Sequence, residues 1–229
     1  IELLVVDHPG SVNVFIDETF IPPPYPPFRM YNFTDKQLPI AAVDGQGTEV
    51  LDKIIHPDEE YISNLVPGLY QGVTELHDLI LVFDDLSDAD SLFLFLQGWL
   101  FPTDASINVN ISQSSLFRSI FPYLQVPDAQ GNWITIVENL GFPKGKNKTM
   151  VIDLTDKFLS DDYRLRIRTN MQIYWDHIFI ASTLPGNTLQ TVGLQPVAAN
   201  LHYRGFSHIS RRNFSSPHIP DYDSITTGQ

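Results

Sequence analysis

The chain contains no cysteine, which excludes disulfides, thiolate-bound zinc and thiol nucleophiles and leaves the redox compartment open. No apolar run approaches the ~18 residues of a membrane span. Runs such as Leu92-Phe-Leu-Phe-Leu96 have the length of a strand. Positive charge is scarce: 14 Lys and Arg stand against 27 Asp and Glu, for a formal net charge of −13. Nucleic acid and anionic membranes recruit clustered Lys and Arg, so neither is expected as a partner. There is no Gly-rich phosphate loop, Gly-x-Ser-x-Gly elbow, His-Glu-x-x-His helix, heptad or solenoid repeat. The commonest signatures of nucleotide, serine-hydrolase and zinc-protease chemistry are therefore missing.

What remains is a globular chain of 229 residues, 43% apolar, long enough for one large all-β domain or two small ones. Before the proline run, Leu3-Leu-Val-Val6 and residues 12–16 read as strand, turn, strand around Asp7-His-Pro-Gly10. Ile21-Pro-Pro-Pro-Tyr-Pro-Pro-Phe28 holds five of the 17 prolines. It is excluded from a central sheet and reads as a linker, a partner-binding polyproline segment or a strap. The strap is favoured because Tyr25 and Phe28 gain by burial. A hairpin is expected across Asp44-Gly-Gln-Gly47 and a short helix near residues 51–55.

Two strong strands follow, Leu79-Ile-Leu-Val-Phe83 and Leu92-Phe-Leu-Phe-Leu96, apolar on both faces as in the middle of a sandwich. Residues 107–111 are strand-sized, and a short helix is expected near residues 114–119. Tyr123-Leu-Gln-Val126 and Trp133-Ile-Thr-Ile-Val137 pair around Asp128-Ala-Gln-Gly-Asn132, and a strand follows at 149–153. Residues 182–187 should close the compact part, with a further strand within 189–201. From His202 the enrichment in Arg, His, Ser and Pro suggests an irregular arm.

Short strands, frequent turns and little helix give an all-β antiparallel β-sandwich of jelly-roll or galactose-binding-like type. The expected division is an N-terminal part (1–70), a sandwich core (71–188) and a strand plus arm (189–229). The strand-like start, with no Met or signal peptide before it, suggests a processed product or a piece of a longer protein.

The densest signal is residues 164–180. Arg164, Arg166 and Arg168 alternate with Leu165 and Ile167, and a nearly continuous apolar run then carries Asp176 and His177. A carboxylate and an imidazole in such a run need partners. Asp176 is expected to accept hydrogen bonds from an arginine of the same hairpin or from backbone N–H groups.

The chain resembles a known group at Gly98-Trp99, Pro122-Tyr-Leu-Gln-Val126, Gly131-Asn-Trp133, Gly141-Phe-Pro143, Asp153-Leu-Thr155, Arg164-Leu-Arg-Ile-Arg-Thr-Asn170 and Tyr174-Trp-Asp176. The likeness is to the C-terminal region of large bacterial FG-GAP-repeat proteins of the ASPIC/UnbV type, where a β-propeller and the ASPIC/UnbV segment precede such a region. Val5-Val-Asp-His-Pro9, the proline run, Leu201-His-Tyr-Arg-Gly-Phe-Ser207 and Pro217-His-Ile-Pro-Asp-Tyr-Asp223 fit the same pattern. The resemblance implies a secreted, periplasmic or envelope location and a role in adhesion or assembly, and it supplies no catalytic residues. A more distant similarity to galactose-binding-like jelly rolls implies loop-borne sugar binding and a structural calcium.

Several constellations carry chemistry. Arg164, Arg166 and Arg168 share one strand face and suit a carboxylate, a sulfated glycan or an acidic partner, against simple pairing with Asp161, Asp162, Asp176 or a cross-strand acid. Asp84, Asp85, Asp88 and Asp90 lie within seven residues of loop, oxygen-rich enough for calcium but without EF-hand spacing, so a solvated turn is the plainer reading. Asp153 and Asp176 make a formal two-carboxylate pair of the glycosidase kind. His202, His208 and His218 with Asp221 and Asp223 offer transition-metal ligands without compact spacing. Trp99, Trp133, Trp175, Tyr25, Tyr123, Tyr174 and Tyr203 are sugar-stacking candidates, although the tryptophans sit among apolar strand residues suited to the core. Four Asn-x-Ser/Thr triplets occur, at Asn32, Asn110, Asn147 and Asn213, relevant only to a secreted eukaryotic protein.

These residues describe a non-catalytic extracellular or envelope interaction module that assembles with other subunits or with domains of its parent chain. The alternatives are a carbohydrate-binding module with a structural calcium, using Trp99, Tyr123 and the three arginines, and a glycoside-hydrolase-like enzyme.

Overall fold

The computed structural model describes residues 2–184 and 189–228, so the expected end of the compact part falls largely outside the described residues. The chain is an antiparallel all-β sandwich. Its central sheet has the order β4 (Ala41–Asp44), β5 (Val73–Val82), β10 (Arg164–Met171), β7 (Tyr123–Pro127), β8 (Trp133–Val137). Against it packs the sheet β11 (Ile173–Ala181), β6 (Phe93–Leu100), β9 (Lys148–Asp153).

Period-two alternation builds the space between the sheets. Leu79 and Leu81 of β5, Leu165 and Ile167 of β10, and Leu124 and Val126 of β7 point inward to meet Leu94 and Leu96 of β6, Met150 of β9, and Ile178 and Ile180 of β11. β6 and β11 are apolar on their other side as well, because a third layer covers them. There β2 (Asn13–Ile16) pairs with β3 (Met30–Phe33), and Phe15, Tyr31 and Phe33 pack on Phe93, Phe95 and Phe179. The Phe95 and Phe179 rings stack at 4.8 Å. Both strong apolar strands of the sequence thus occupy the centre of the molecule, one in each sheet.

The two strands of residues 164–180 do not form a hairpin with each other. β10 pairs with β5 and β7, β11 pairs with β6, and Gln172 alone carries the chain from one sheet to the other. The corner is held by Gln172 N–H on the Gly72 carbonyl at 3.0 Å and by Phe101 N–H on the Gln172 carbonyl at 2.9 Å. Nor do the first two strands pair together: β1 (Leu3–Asp7) joins β12 (Gln190–Leu194) in a separate two-stranded ribbon.

Other expectations shift in detail. The hairpin at 44–47, the β7–β8 hairpin and a 3-10 turn at Leu51–Lys53 are present. The one helix of the described residues is α1 (Ala105–Gln113), which replaces the strand expected at 107–111 and precedes the helix expected at 114–119. Asp104 caps it, its carboxylate accepting the Ile107 N–H at 2.9 Å, and Ile107 and Ile111 share one helix face at i, i+4. The proline run does not press its aromatics onto the sandwich, since Tyr25 and Phe28 are 67% and 66% exposed. The C-terminal part is not irregular: β13 (Phe206–Ser210) and β14 (Ile219–Thr226) form a hairpin. Its turn is anchored by Asn213, whose side-chain oxygen accepts from Ser215 N–H and the Ser216 hydroxyl.

Candidate functional site

The three arginines lie together on the outer face of the five-stranded sheet with Tyr123, which stands opposite Arg168. Each has a partner. Arg164 makes a two-pronged contact with Asp162, its Nε 2.8 Å from Oδ1, and this hydrogen-bonded guanidinium holds the Asp162 carboxyl below its ordinary range. Arg166 donates to the Gln125 side chain at 2.8 Å. Asp78, directly across from Arg168, lies 3.3 Å from its Nε and 3.9 Å from Nη1 of Arg166. Trp133 lies beneath the Arg166 and Arg164 guanidiniums, whose carbons are 4.6 and 5.5 Å from its ring centroid. The face is a ladder of arginines on the neighbouring Asp162, the cross-strand Asp78 and one indole, in which Arg168 Nε and Asp78 Oδ1 meet as an ion pair without a hydrogen bond.

Asp176 is not tied to those arginines, because the crossing at Gln172 puts it in the other sheet. It sits at a bulge of β11, between Trp175 opposite Gly98 and His177 opposite Gln97. Its Oδ1 accepts the Glu59 N–H at 2.8 Å and its Oδ2 the Asn147 side-chain amide at 3.4 Å, so the backbone partner expected of it is present. Glu59 itself has a left-handed φ of 65°. Burial raises the Asp176 carboxyl to about 6. His177 faces the third layer, with Nδ1 2.9 Å from Gln97 Oε1 and Nε2 3.2 Å from Lys36 Nζ. Burial, reinforced by Lys36, lowers it to about 4. The imidazole and the carboxylate have separate partners.

The other sequence candidates are dispersed. Asp84, Asp85, Asp88 and Asp90 are exposed around the buried Leu86, with Asp85 closing a turn on Ser87 N–H at 2.9 Å. Among the described residues no group of three or more His, Cys, Asp or Glu side chains is arranged to hold a metal ion, at this loop or at the C-terminal histidines. Asp153 stands opposite Phe93 while Asp176 lies beside Gly98, on the other flank of β6. That offset is about 15 Å along the strand, beyond the roughly 5–9.5 Å of a glycosidase pair. Asn32 is buried at 4% exposure, whereas Asn110, Asn147 and Asn213 are exposed.

Trp99 lies in β6, away from Tyr123 and the arginines. It is 4% exposed, stacked on Tyr174 at 4.9 Å, and its indole N–H donates to the Ser215 carbonyl at 2.9 Å. The indole therefore holds down the turn of the C-terminal hairpin. Arg212 adds a second tie, 2.7 Å from Glu60. Beside this junction opens a cleft of about 750 Å³ that the sequence did not single out. Phe20, Phe101, Phe121 and Phe142 furnish its wall, with Lys144 and Lys146 at its mouth. Its sequence signal is the loop Gly141-Phe-Pro-Lys-Gly-Lys146, a pair of lysines in an acidic chain.

Both two-stranded ribbons carry exposed apolar side chains. In the β1–β12 pair, register places Leu3 opposite Leu194 and Val5 opposite Val192 on one face. These four are 48%, 44%, 49% and 56% exposed. Leu4, on the opposite face, is also exposed. The β13–β14 hairpin adds exposed Phe206, Ile209, Tyr222 and Ile225.

No protein-family model matches the chain and no curated protein matches it. Among solved structures, the enzymatically active domain of tailspike protein 4 of bacteriophage CBA120 is similar over 84% of this chain and 19% of its own, at 11% identity and a TM-score of 0.29. This chain spans about a fifth of that protein, and a likeness at that score bears on neither fold nor activity.

Proposed function

We propose that the chain is a non-catalytic interaction module that assembles polypeptides through its β1–β12 ribbon. The observation carrying this reading is the row Leu3, Val5, Val192 and Leu194, four aliphatic side chains on one face of a two-stranded ribbon and each 44% exposed or more. An isolated two-stranded ribbon is marginally stable in water, and its free edges and apolar face invite further pairing. The partner in this reading is a second copy, because an antiparallel ribbon presents equivalent aliphatic strands about a local twofold and suits an isologous contact. The resemblance to regions of ASPIC/UnbV-type proteins supports an envelope or extracellular setting for such assembly.

The test is sedimentation velocity of the chain over a concentration series. Self-association is expected with a dissociation constant on the order of 10 μM, as befits a small interface. Val5→Lys with Val192→Lys should leave a monomer with an unchanged circular dichroism melt, since neither side chain belongs to the core. A wild-type chain that stays monomeric to ten times that concentration, or a double variant that associates equally well, would sink the reading.

A further inference from the structure

We infer that the cleft between the Gly141–Lys146 loop and the C-terminal hairpin turn binds a small organic anion, one that carries a carboxylate or sulfo group on an apolar body. Its wall is aromatic hydrocarbon. Phe20 and Phe142 lie 5.2 Å apart between centroids, and Phe142 stacks with Phe121 at 5.8 Å. Phe20 is 38% exposed, and the Phe142 and Phe121 rings are half-buried. They offer faces for an apolar body rather than donors for a ring of hydroxyls.

Charge supplies the second half of the recognition. In a chain of net charge −13, the cleft is lined by Lys144, Lys146, Arg211 and His218 and by no carboxylate among the described residues. Lys144 Nζ stands 4.2 Å above the Phe20 centroid, which places an ammonium at the lip of the aromatic wall. Neither Lys144 nor Lys146 has a carboxylate within ion-pair distance among the described residues. Arg211 directs its guanidinium to the Asn213 and Phe214 carbonyls, which fixes its position without neutralising its charge. A cation row at the rim of a low-dielectric aromatic wall favours an anion there over a neutral molecule of the same shape. Another cleft of this size is mainly acidic, lined by Asp84, Asp85, Asp161 and Asp162 beside Arg164.

The chemistry fits an aryl or alkyl carboxylate or sulfonate and not the hydroxyl-rich ring of an acidic saccharide. The probe is 8-anilinonaphthalene-1-sulfonate, followed by fluorescence titration of the whole chain and then by competition. Saturable binding is expected in the micromolar range, weakened about tenfold in Lys144→Gln/Lys146→Gln. The control Lys157→Gln and the ribbon variant Val5→Lys/Val192→Lys should bind as wild type. Both lysines at the cleft are exposed, so the double variant should keep the wild-type melt. Displacement by octanoate but not by a digalacturonate is expected, and displacement by the digalacturonate alone would overturn the apolar body of the ligand. Octanol at equal concentration should leave the probe bound. Binding unchanged in the lysine variant, binding lost in the ribbon variant, or displacement by neither anion would overturn the inference.

Discussion

Asp176 and His177 are adjacent in sequence and almost fully buried, at 3% and 2% exposure, yet burial drives their titrations in opposite directions. The Asp176 carboxyl, raised from 3.8 to about 6, binds its proton more tightly in the folded chain. Its contribution is present at acid pH and is lost as pH rises through about 6. The His177 imidazole, lowered from 6.5 to about 4, binds its proton more tightly in the unfolded chain. Its contribution is present above 6.5 and is lost as pH falls towards 4. Each amounts to about 3 kcal/mol at most, and in the wild type they largely cancel between those limits. Asp176→Asn should therefore leave stability that climbs with pH across that window, and His177→Gln stability that declines. Urea unfolding at about pH 4.5, 5.5 and 6.5 reads both slopes. Parallel, flat profiles for the two variants would refute this account of the pair. That Asp176 needed a partner was legible from its place in an apolar run. Which partner was not, because a carboxylate's neighbours depend on the sheet its strand joins.

At the level of elements, the bulge of β11 explains both that partner and the glycine opposite it. A Cβ on Gly98 would meet the Tyr174 carbonyl oxygen at 2.5 Å and the Trp175 ring at 2.9 Å. Gly98→Ala should cost about 2–3 kcal/mol, seen as a lower urea midpoint and as increased exposure of Trp175, whose fluorescence reports the bulge. An unchanged midpoint would show that the bulge accommodates a methyl group. Strand positions were legible wherever alternation or a continuous apolar run was strong, as in β5, β6, β7, β8, β10 and β11. Pairing was less so. Residues 164–180 read as a hairpin because nothing in the sequence marks Gln172 as a crossing between sheets, and β1 finds its partner in β12 across most of the chain. The helix at Ala105–Gln113 was missed because Ile107, Val109 and Ile111 satisfy a period of two as readily as the i, i+4 contact that decides it.

Across the whole molecule, one set of apolar residues fills the space between two sheets, a second lies beneath the β2–β3 layer, a third clusters at Tyr61, Trp99 and Tyr174, and others stay in water, among them those on the β1–β12 and β13–β14 ribbons. The arginine face, the first candidate from sequence, proves internally paired, since every guanidinium there has an acid, amide or ring within reach. The cleft was invisible for a general reason: Phe20, Phe101, Phe121 and Phe142 come from separated segments, and only the fold gathers them. Single residues announced chemistry that packing then absorbed, while of the residues lining the open cleft the sequence drew notice to Trp99 and His218 without their setting.

The assembly role rests on the ribbon, and amide hydrogen exchange followed against protein concentration examines it most directly. As the concentration rises through the association range, amides of residues 3–7 and 190–194 should slow by about tenfold or more. Those of β5 and β10 should exchange at one rate throughout. Ribbon amides that exchange at the same rate at every concentration would contradict assembly through β1 and β12.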